Sequence, residues 1–317
     1  MLVGLVANPT SSKDIRRLTT LARVIDIEEK ANLVARLLVG LATEKRIKVA
    51  ALDDRAGLVR RAVALADGRG PPVDYLPLDV EGTEADTRRA AGALEEMGAT
   101  ALVTVGGDGT VRAAAEGWRR VPLVPIGAGT NNAFALTEEP TVVGLAVALA
   151  VTRGSDAFLP TTAVEVETTE GWALAVIDAV VVRSRWVGSG AIWEPAELVE
   201  GVVTSSRRTA VGIASISASF GPLEPGHARH LRFSGGRSVR AVFGPGLVLD
   251  IPVDGHEDLP LGAEVSLVEG AGMVALDGER RLPSREGLVR VVDGPLVIDL
   301  EEALRVFGPF SADWGHR

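Results

Sequence analysis

The chain has 317 residues, of which 46% are apolar and 24% are charged, values that are ordinary for a globular protein and leave room for two domains. It contains no cysteine, which excludes disulfides and thiolate chemistry, and its net charge of −9 argues against a nucleic-acid partner. Because the sequence has no apolar run near the ~20 residues of a membrane helix, we expect a cytoplasmic protein without a membrane partner. The sequence leaves its oligomeric state open, a homo-oligomer included.

The first half of the chain alternates between strand-like and helix-like patterns. Apolar residues at helical spacing, such as Leu33, Leu37 and Leu41, predict helices between short apolar runs. The runs at 101–105 and 121–126 are continuously apolar, as in strands buried on both faces of a parallel sheet. The alternation predicts an α/β domain with a Rossmann-like parallel sheet over residues 1–154. The predicted strands are residues 2–7, 47–52, 75–80, 101–105 and 121–126, and residues 84–97 are a predicted helix.

The second half of the chain has a different pattern. Valine-rich segments separated by glycine and proline turns predict a β-rich, mostly antiparallel domain over residues 155–294. A strand-then-helix pattern returns near the end, so we expect residues 295–317 to dock back on the first domain. The predicted strands of this half are residues 163–166, 172–182, 239–243, 247–251, 264–268 and 273–276.

A glycine-rich turn, GGDGT at residues 106–110, follows the buried strand 101–105. Ligands of open α/β sheets bind at the carboxyl ends of the strands, and glycine permits positive φ and a close approach of backbone N–H groups to a ligand. We expect a helix to begin at Thr110, whose N-terminus favours phosphate. Gly106, Gly107, Gly109 and Thr110 are therefore candidate nucleotide-binding residues.

A carboxylate among these glycines, Asp108, is unexpected in a phosphate site, because like charges repel. Asp108 could accept a proton from a hydroxyl that attacks a phosphoryl group, or it could hold a metal ion bound to the phosphates. The alternative is a tight strand–helix turn without chemistry. The setting between strand and helix favours function, with Asp108 as the candidate catalytic residue.

Two further loops leave predicted strands at the same edge of the sheet. In ANPTSSK, Asn8 and Ser12 are candidates for nucleotide contacts, and the alternative is an Asn-Pro turn with a serine helix cap. In GTNNAFA, the side chains of Thr130, Asn131 and Asn132 suit a ribose or an adenine edge, and the alternative is a capped helix N-terminus.

GGDGT in this setting resembles the superfamily that contains the NAD kinases and the diacylglycerol kinases. Within it, residues 7–41, GTNNAFA and ALDGER resemble the ATP-NAD kinase-like AcoX proteins, which are associated with acetoin catabolism. The resemblance spans most of the chain. It implies an α/β domain and a β-rich domain with the active site in the cleft between them.

The resemblance also implies a kinase that uses ATP and Mg²⁺, the latter through Asp108, with the 2′-hydroxyl of NAD as the acceptor. It makes Asp277 and Glu279 of ALDGER candidates for an acceptor or metal site, although Asp-Gly alone predicts a type I′ hairpin turn. NAD kinases usually carry an Asn-Glu or Asn-Asp pair where this chain has Asp178 and Ala179. Asp178 is therefore the remaining candidate for an acceptor contact.

Two departures keep the acceptor open. The chain lacks the TGSTAY-like stretch of NAD kinases at residues 211–222, and its GTNNAFA loop is nearer to the GTGNDFA of lipid kinases. The alternatives to an NAD kinase are therefore a lipid or small-alcohol kinase, and a protein that binds ATP or NAD(H) without turnover.

Overall fold

The structure is a computed structural model that describes residues 1–13, 16–130, 132–154, 156–168, 171–183, 191–192, 194–267, 272–284 and 287–305. Its helices are α1 (Arg16–Thr19), α2 (Ile27–Leu41), α3 (Leu58–Ala66), α4 (Glu84–Glu96), α5 (Asp108–Gly117), α6 (Pro140–Arg153), α7 (Ile213–Ala218) and α8 (Leu300–Leu304). Its strands are β1 (Leu2–Ala7), β2 (Lys48–Ala51), β3 (Val73–Tyr75), β4 (Ala101–Gly106), β5 (Pro122–Gly127), β6 (Phe158–Thr168), β7 (Gly171–Ala175), β8 (Asp178–Val182), β9 (Leu198–Val203), β10 (His227–Arg232), β11 (Ser238–Gly244), β12 (Leu247–Pro252), β13 (Gly255–Pro260), β14 (Glu264–Ser266), β15 (Gly272–Leu276), β16 (Glu279–Ser284) and β17 (Gly287–Ile298).

The first five strands form a parallel sheet in the order β3-β2-β1-β4-β5. Helices α2, α3 and α6 pack on one face of it, and α4 and α5 pack on the other. Helices on both faces bury the central strands completely, which is why every residue of β4 is buried and its sequence lacks alternation. The loops that follow β1, β4 and β5 consequently meet at one edge of the sheet.

The chain returns to this sheet near its end. Strand β17 pairs in parallel with β5 through Leu296 and Val297, and in antiparallel with β6, which pairs in turn with β7. Helix α8 then contacts α6. Residues 306–317 lie outside the described ranges, so the docking of the whole segment 295–317 on the first domain stays a prediction. Because one sheet continues into the β-rich half, boundaries at 154 and 294 stay a prediction.

A second sheet carries the rest of the β-rich half. Its described strands run in the order β13-β10-β9-β8-β15-β16, each antiparallel to its neighbours. Strands β11 and β12 form a separate antiparallel hairpin. A parallel α/β half followed by antiparallel sheets is the predicted fold class, which is confirmed.

Two predicted strands differ in the structure. Residues 172–182 form two strands, because the chain passes from the first sheet (β7) to the second (β8), and the amides of Val176 and Ile177 between them donate to the Asp277 carboxylate at 3.0 and 2.8 Å. The strand predicted at 75–80 is instead β3, which ends at Tyr75. Pro77 has no N–H to extend the ladder.

Candidate active site

The GGDGT turn joins β4 directly to α5. Gly106 ends the strand, Gly107 is the N-cap residue, and the helix begins at Asp108 rather than at the predicted Thr110. Asp108 therefore lies in the first helical turn. Thr110 is inside the helix and accepts a hydrogen bond from the Asn8 side-chain amide at 3.0 Å.

The glycines of this turn serve close packing rather than an unusual backbone conformation. The expectation of positive φ is wrong for Gly107, whose φ is −102°. A Cβ on Gly106 would stand 2.4 Å from Thr110 Oγ1, and a Cβ on Gly129 would stand 2.6 Å from the Gly107 Cα. The two glycine loops thus touch backbone to backbone at the sheet edge, and a larger residue would push them apart.

The Asp108 carboxylate holds the second loop in place. Its Oδ2 accepts from the Ala133 amide at 3.0 Å and its Oδ1 accepts from the Phe134 amide at 3.1 Å. Burial raises the pKa of Asp108, while the two amides and the nearby Arg16 charge oppose that rise. A buried carboxylate with a raised pKa is a better proton acceptor near neutral pH than an exposed one.

The loop after β5 contains Thr130 and Asn132. Asn132 uses both ends of its amide on one neighbour, accepting from the Gly129 N–H at 2.9 Å and donating to the Gly129 carbonyl at 3.1 Å. The buried Thr130 Oγ1 lacks a hydrogen-bond partner within the described structure. This is expected for a hydroxyl whose partner is a bound ligand. Asn131 lies outside the described residues, so its predicted ligand contact stays a prediction.

The Asn-Pro loop after β1 is held mostly by its own contacts. The Asn8 side chain accepts from the Thr10 amide at 2.9 Å, in addition to its bond to Thr110. The Ser12 hydroxyl donates to the Ile25 carbonyl at 3.1 Å, and Ser12 has a left-handed backbone with φ 65°. Ser12 therefore shapes the loop through its hydroxyl, and its predicted nucleotide contact remains untested.

A buried lysine, Lys30 on α2, fixes this loop and was missed by the sequence reasoning. Its ammonium donates to the carbonyls of Asn8, Pro9 and Ser11 at 3.3, 3.1 and 2.7 Å. Burial lowers the pKa of Lys30 to about 8, helped by repulsion from Lys13. The available signal was position, because Lys30 shares the apolar helix face of Val34, Leu37, Leu38 and Leu41.

Replacing Lys30 with methionine should loosen the Asn-Pro loop. Methionine keeps the apolar stem but leaves three carbonyls without their charged donor, so we expect a lower melting temperature and an ATP affinity reduced by about tenfold or more. Titration calorimetry with ATP measures the second effect. Lys45→Met, at an exposed position, is the matched control. Unchanged ATP binding in Lys30→Met would show that the loop does not meet the nucleotide.

The two glycine loops offer a second matched comparison. A Cβ on Gly129 would clash with Gly107 Cα at 2.6 Å, whereas a Cβ on Gly107 would stay 3.4 Å from the Gly129 Cα. Gly129→Ala should therefore weaken ATP binding by about tenfold or more, because the displaced loops lose hydrogen bonds to the charged phosphates. Gly107→Ala should bind more nearly like the native protein. Equal affinities of the two variants in the same titration would contradict this geometry.

The β-rich half contributes a hairpin turn that carries Asp277 and Glu279. Asp277 and Gly278 have φ of 52° and 75° between β15 and β16, as a type I′ turn requires, so the hairpin interpretation is right for the backbone. The Asp277 carboxylate accepts from the amides of Val176 and Ile177, which lie between β7 and β8. The Asp277 N–H donates to the Asp178 carbonyl at 2.8 Å. Asp178 Oδ1 accepts from the Gly278 amide at 3.1 Å.

Asp178 and Asp277 form a buried acidic pair. Burial, followed by repulsion from Asp277, raises the pKa of Asp178 to about 8. Burial also raises the pKa of Asp277 to about 7, although Arg112 opposes that rise. Arg112 is 2% exposed, with Nη1 3.5 Å from Asp277 Oδ2 and Nη2 3.0 Å from Glu84 Oε2. The pair thus holds protons at neutral pH that ordinary carboxyls release.

These raised pKa values predict a loss of stability with rising pH. The unfolded chain releases these protons near 3.8, whereas the folded chain holds them up to about 7 and 8. The stability that these two protonated carboxyls contribute is fully present at acid pH, and it falls as the pH rises from about 4 through 8. Asp178→Asn still accepts from Gly278, so its melting temperature should decline less between pH 5 and 8. If the melting temperatures of variant and native protein fell equally between pH 5 and 8, the raised pKa of Asp178 would be contradicted.

Two cavities meet at Asp108. The larger, with a volume of about 810 Å³, lies between the three loops and the hairpin turn, and the smaller, of about 30 Å³, lies toward the β-rich half. Arg16, Asp108 and Asp277 line both cavities. Of the other predicted site residues, the larger cavity is lined by Asn8, Ser12, Gly107, Gly109, Thr110, Thr130 and Glu279, and the smaller by Asp178. Gly106 and Asn132 support the loops by the contacts given above.

The described residues contain no group of three or more histidine, aspartate or glutamate side chains placed to hold a metal ion. Asp108, Asp178 and Asp277 each accept backbone N–H groups instead. No helix in the described ranges has the length and apolar character needed to cross a membrane.

Comparison with known proteins places the chain in a family. Residues 3–150 match the ATP-NAD kinase N-terminal domain family, and residues 162–292 match the acetoin catabolism protein X C-terminal domain family. Acetoin catabolism protein X of Cupriavidus necator is 34% identical over 301 residues, covering 89% of this chain and 84% of that protein. This chain belongs to the acetoin catabolism protein X family. The resemblance stated from the sequence is confirmed.

This chain also shares its fold with a kinase of known structure. A yeast NADH kinase, crystallised with NADH, superposes with a TM-score of 0.50 at 12% identity, over 100% of this chain and 90% of that one. A likeness at such low identity shows the fold and leaves the substrate open.

Proposed function

We propose that this acetoin catabolism protein X family member is a kinase that transfers the γ-phosphoryl group of ATP to a hydroxyl of a small molecule. One observation carries the proposal: the buried Asp108 carboxylate stands where a nucleotide-sized cavity meets a second cavity. Phosphoryl transfer needs the attacking and leaving oxygens on opposite sides of the transferred phosphorus, with the group that takes the proton beside the attacking hydroxyl. The NAD kinase-like first half agrees with this class of reaction.

The larger cavity suits the donor. Its volume of about 810 Å³ falls in the range of small-molecule sites. The N-terminus of α5 points backbone N–H groups and a partial positive charge at this space, which favours the phosphates. The Thr130 hydroxyl, which has no hydrogen-bond partner among the described residues, adds a polar group. When bound with ATP, Mg²⁺ would neutralise phosphate charge.

Asp108 has the proton-accepting role in this proposal. As the acceptor oxygen forms its bond to the γ-phosphorus, the bond from that phosphorus to the β-phosphate oxygen breaks and ADP leaves with the electron pair. The acceptor proton passes to the Asp108 carboxylate. Its burial and raised pKa favour this transfer near neutral pH.

NAD is the first acceptor to test. The yeast protein of similar fold is an NADH kinase, and Asp178, at the position predicted to contact the acceptor, lines the smaller cavity. Transfer to the 2′-hydroxyl of NAD would make the protein a source of NADP. The Cupriavidus relative is named for acetoin catabolism, and a role of this chain there is part of the same proposal.

A small-alcohol kinase is the second candidate, favoured by the apolar walls of the smaller cavity. The cavity is about 30 Å³ and is lined in part by Ile177, Ile192, Ile213 and Phe243. Apolar side chains of this kind match the carbon chain of a short alcohol better than the polar ribose of a dinucleotide. Acetoin itself carries one hydroxyl on a four-carbon chain.

An acceptor panel tests these candidates together. Purified protein is incubated with Mg-ATP and NAD, NADH, acetoin, 2,3-butanediol or diacylglycerol, and the phosphorylated product is identified by mass spectrometry. Product from NAD or NADH supports the first candidate, and product from acetoin or the diol supports the second. Tight binding of ATP without product from any acceptor would overturn both and favour a nucleotide-sensing protein.

A further inference from the structure

Arg16, on the short helix α1, occupies the junction of the two cavities. It is one of three residues that line both, together with Asp108 and Asp277. Its Nη1 lies 3.2 Å from the place where a Cβ on Gly278 would stand, so the guanidinium lies against the hairpin turn. Arg16 is only partly exposed. No sequence pattern indicated a role for Arg16, because this residue falls in a charged stretch, which is typical of a solvated surface.

The charges at this junction explain why a cation is needed there. Asp108, Asp178 and Asp277 are all buried close to the path of the phosphoryl group and would repel it when ionised. Arg112 is enclosed, pairs with Asp277 and Glu84, and does not line the smaller cavity. Among the described residues that line the smaller cavity, Arg16 is the only cation. Its charge acts on both Asp108 and Asp178, lowering the pKa of each.

The segment that carries Arg16 is fastened to the β-rich half. The Arg16 carbonyl accepts from Thr20 N and Oγ1 at 2.8 and 2.7 Å, and the Leu21 amide donates to the Pro245 carbonyl at 2.8 Å. Pro245 lies between β11 and β12, and Phe243 of the same hairpin lines the smaller cavity. A Cβ on Gly246 would stand 2.7 Å from Leu21 Cδ1, so the hairpin turn packs closely on this segment.

We propose that Arg16 is a catalytic residue that binds the γ-phosphoryl group while it passes from ATP to the acceptor. This inference rests on the proposed kinase function. The guanidinium keeps its proton and changes no covalent bond. It stabilises the negative charge on the phosphoryl oxygens, while the acceptor oxygen replaces the β-phosphate oxygen on phosphorus and Asp108 takes the acceptor proton. Because hairpin β11–β12 holds the segment, the acceptor side of the cleft also positions Arg16.

The test compares a nucleotide that has a γ-phosphate with one that lacks it. AMP-PNP and ADP are titrated into the native protein, Arg16→Ala, Arg16→Lys and the exposed control Arg23→Ala by calorimetry. We expect Arg16→Ala to lose about tenfold or more in AMP-PNP affinity with ADP affinity unchanged, since only AMP-PNP offers the charged contact. Arg16→Lys should recover part of the loss, because lysine keeps the charge without the planar fork.

Each result decides the proposal. Equal losses for ADP and AMP-PNP, or no loss for either, would overturn the role of Arg16 while leaving the kinase proposal standing. If the native protein bound neither nucleotide, both proposals would fall together. Should Arg16→Ala not fold, as judged by its melting curve, Arg16→Gln replaces it and must show the same selective loss.

Discussion

Replacing Asp108 with asparagine should lower kcat by about 100-fold or more, because a positioned general base contributes about 10²–10⁴-fold. Asparagine keeps the shape of the side chain and one acceptor oxygen. It loses the negative charge that receives the acceptor proton. Steady-state kinetics with the acceptor found in the panel measures the effect.

A structural effect of the same substitution must be separated from the chemical one. Asp108 also anchors Ala133 and Phe134, and asparagine would turn its NH₂ group toward one of those amides. Asn132→Ala is the matched control, because it removes the hydrogen bonds between Asn132 and Gly129 within the same loop and leaves the carboxylate in place. We expect Asn132→Ala to lose much less kcat. Equal losses in the two variants would mean that Asp108 only anchors the loop.

Arg112→Met should be the most destabilising of the substitutions considered. Arg112 is 2% exposed and is 3.5 Å from Asp277 Oδ2 and 3.9 Å from Glu116 Oε1, both of them on buried carboxylates. At a pH above about 7, where Asp277 has released its proton, removing the cationic partner of this buried pair leaves an uncompensated charge and destabilises by about 3–5 kcal/mol. We expect a melting temperature lower by several degrees in calorimetric scans.

Two further variants identify the cause of that loss. Arg240→Met breaks a surface pair with Asp250, in which both side chains are largely exposed, and should leave the melting temperature nearly unchanged. Asp277→Asn combined with Arg112→Met should recover part of the stability, because the buried charge is then absent. If the double variant were no more stable than Arg112→Met, the loss of stability would come from packing and not from the buried charge.

Local patterns explain what could be predicted from the sequence. Strand β4 is apolar throughout because both its faces are buried, and the GGDG turn follows it directly, so strand, loop and helix could be recognised together. The common sheet edge follows from parallel pairing, which is why the three loops could be expected to meet. The Asp-Gly hairpin was visible for the same local reason.

Contacts between distant residues could not be predicted. Arg112 and Asp277 are far apart in sequence, and nothing near either residue indicates its partner. Strand β10 escaped recognition because its buried Arg229 and His230 are polar, and their partners Asp258 and Glu200 come from neighbouring strands. Glu257 and Asp258 likewise obscure β13, which forms the edge of its sheet and can leave charged side chains in solvent.

The central claim is transfer of a phosphoryl group to a hydroxyl, and ³¹P NMR of the complete reaction tests it most directly. Native protein is mixed with Mg-ATP and each acceptor of the panel, with Asp108→Asn run in parallel. We expect one acceptor to give a new phosphomonoester resonance that grows in step with ADP, and we expect it to be nearly absent with Asp108→Asn. Unchanged ATP with every acceptor, or ADP accompanied only by inorganic phosphate, would contradict the claim.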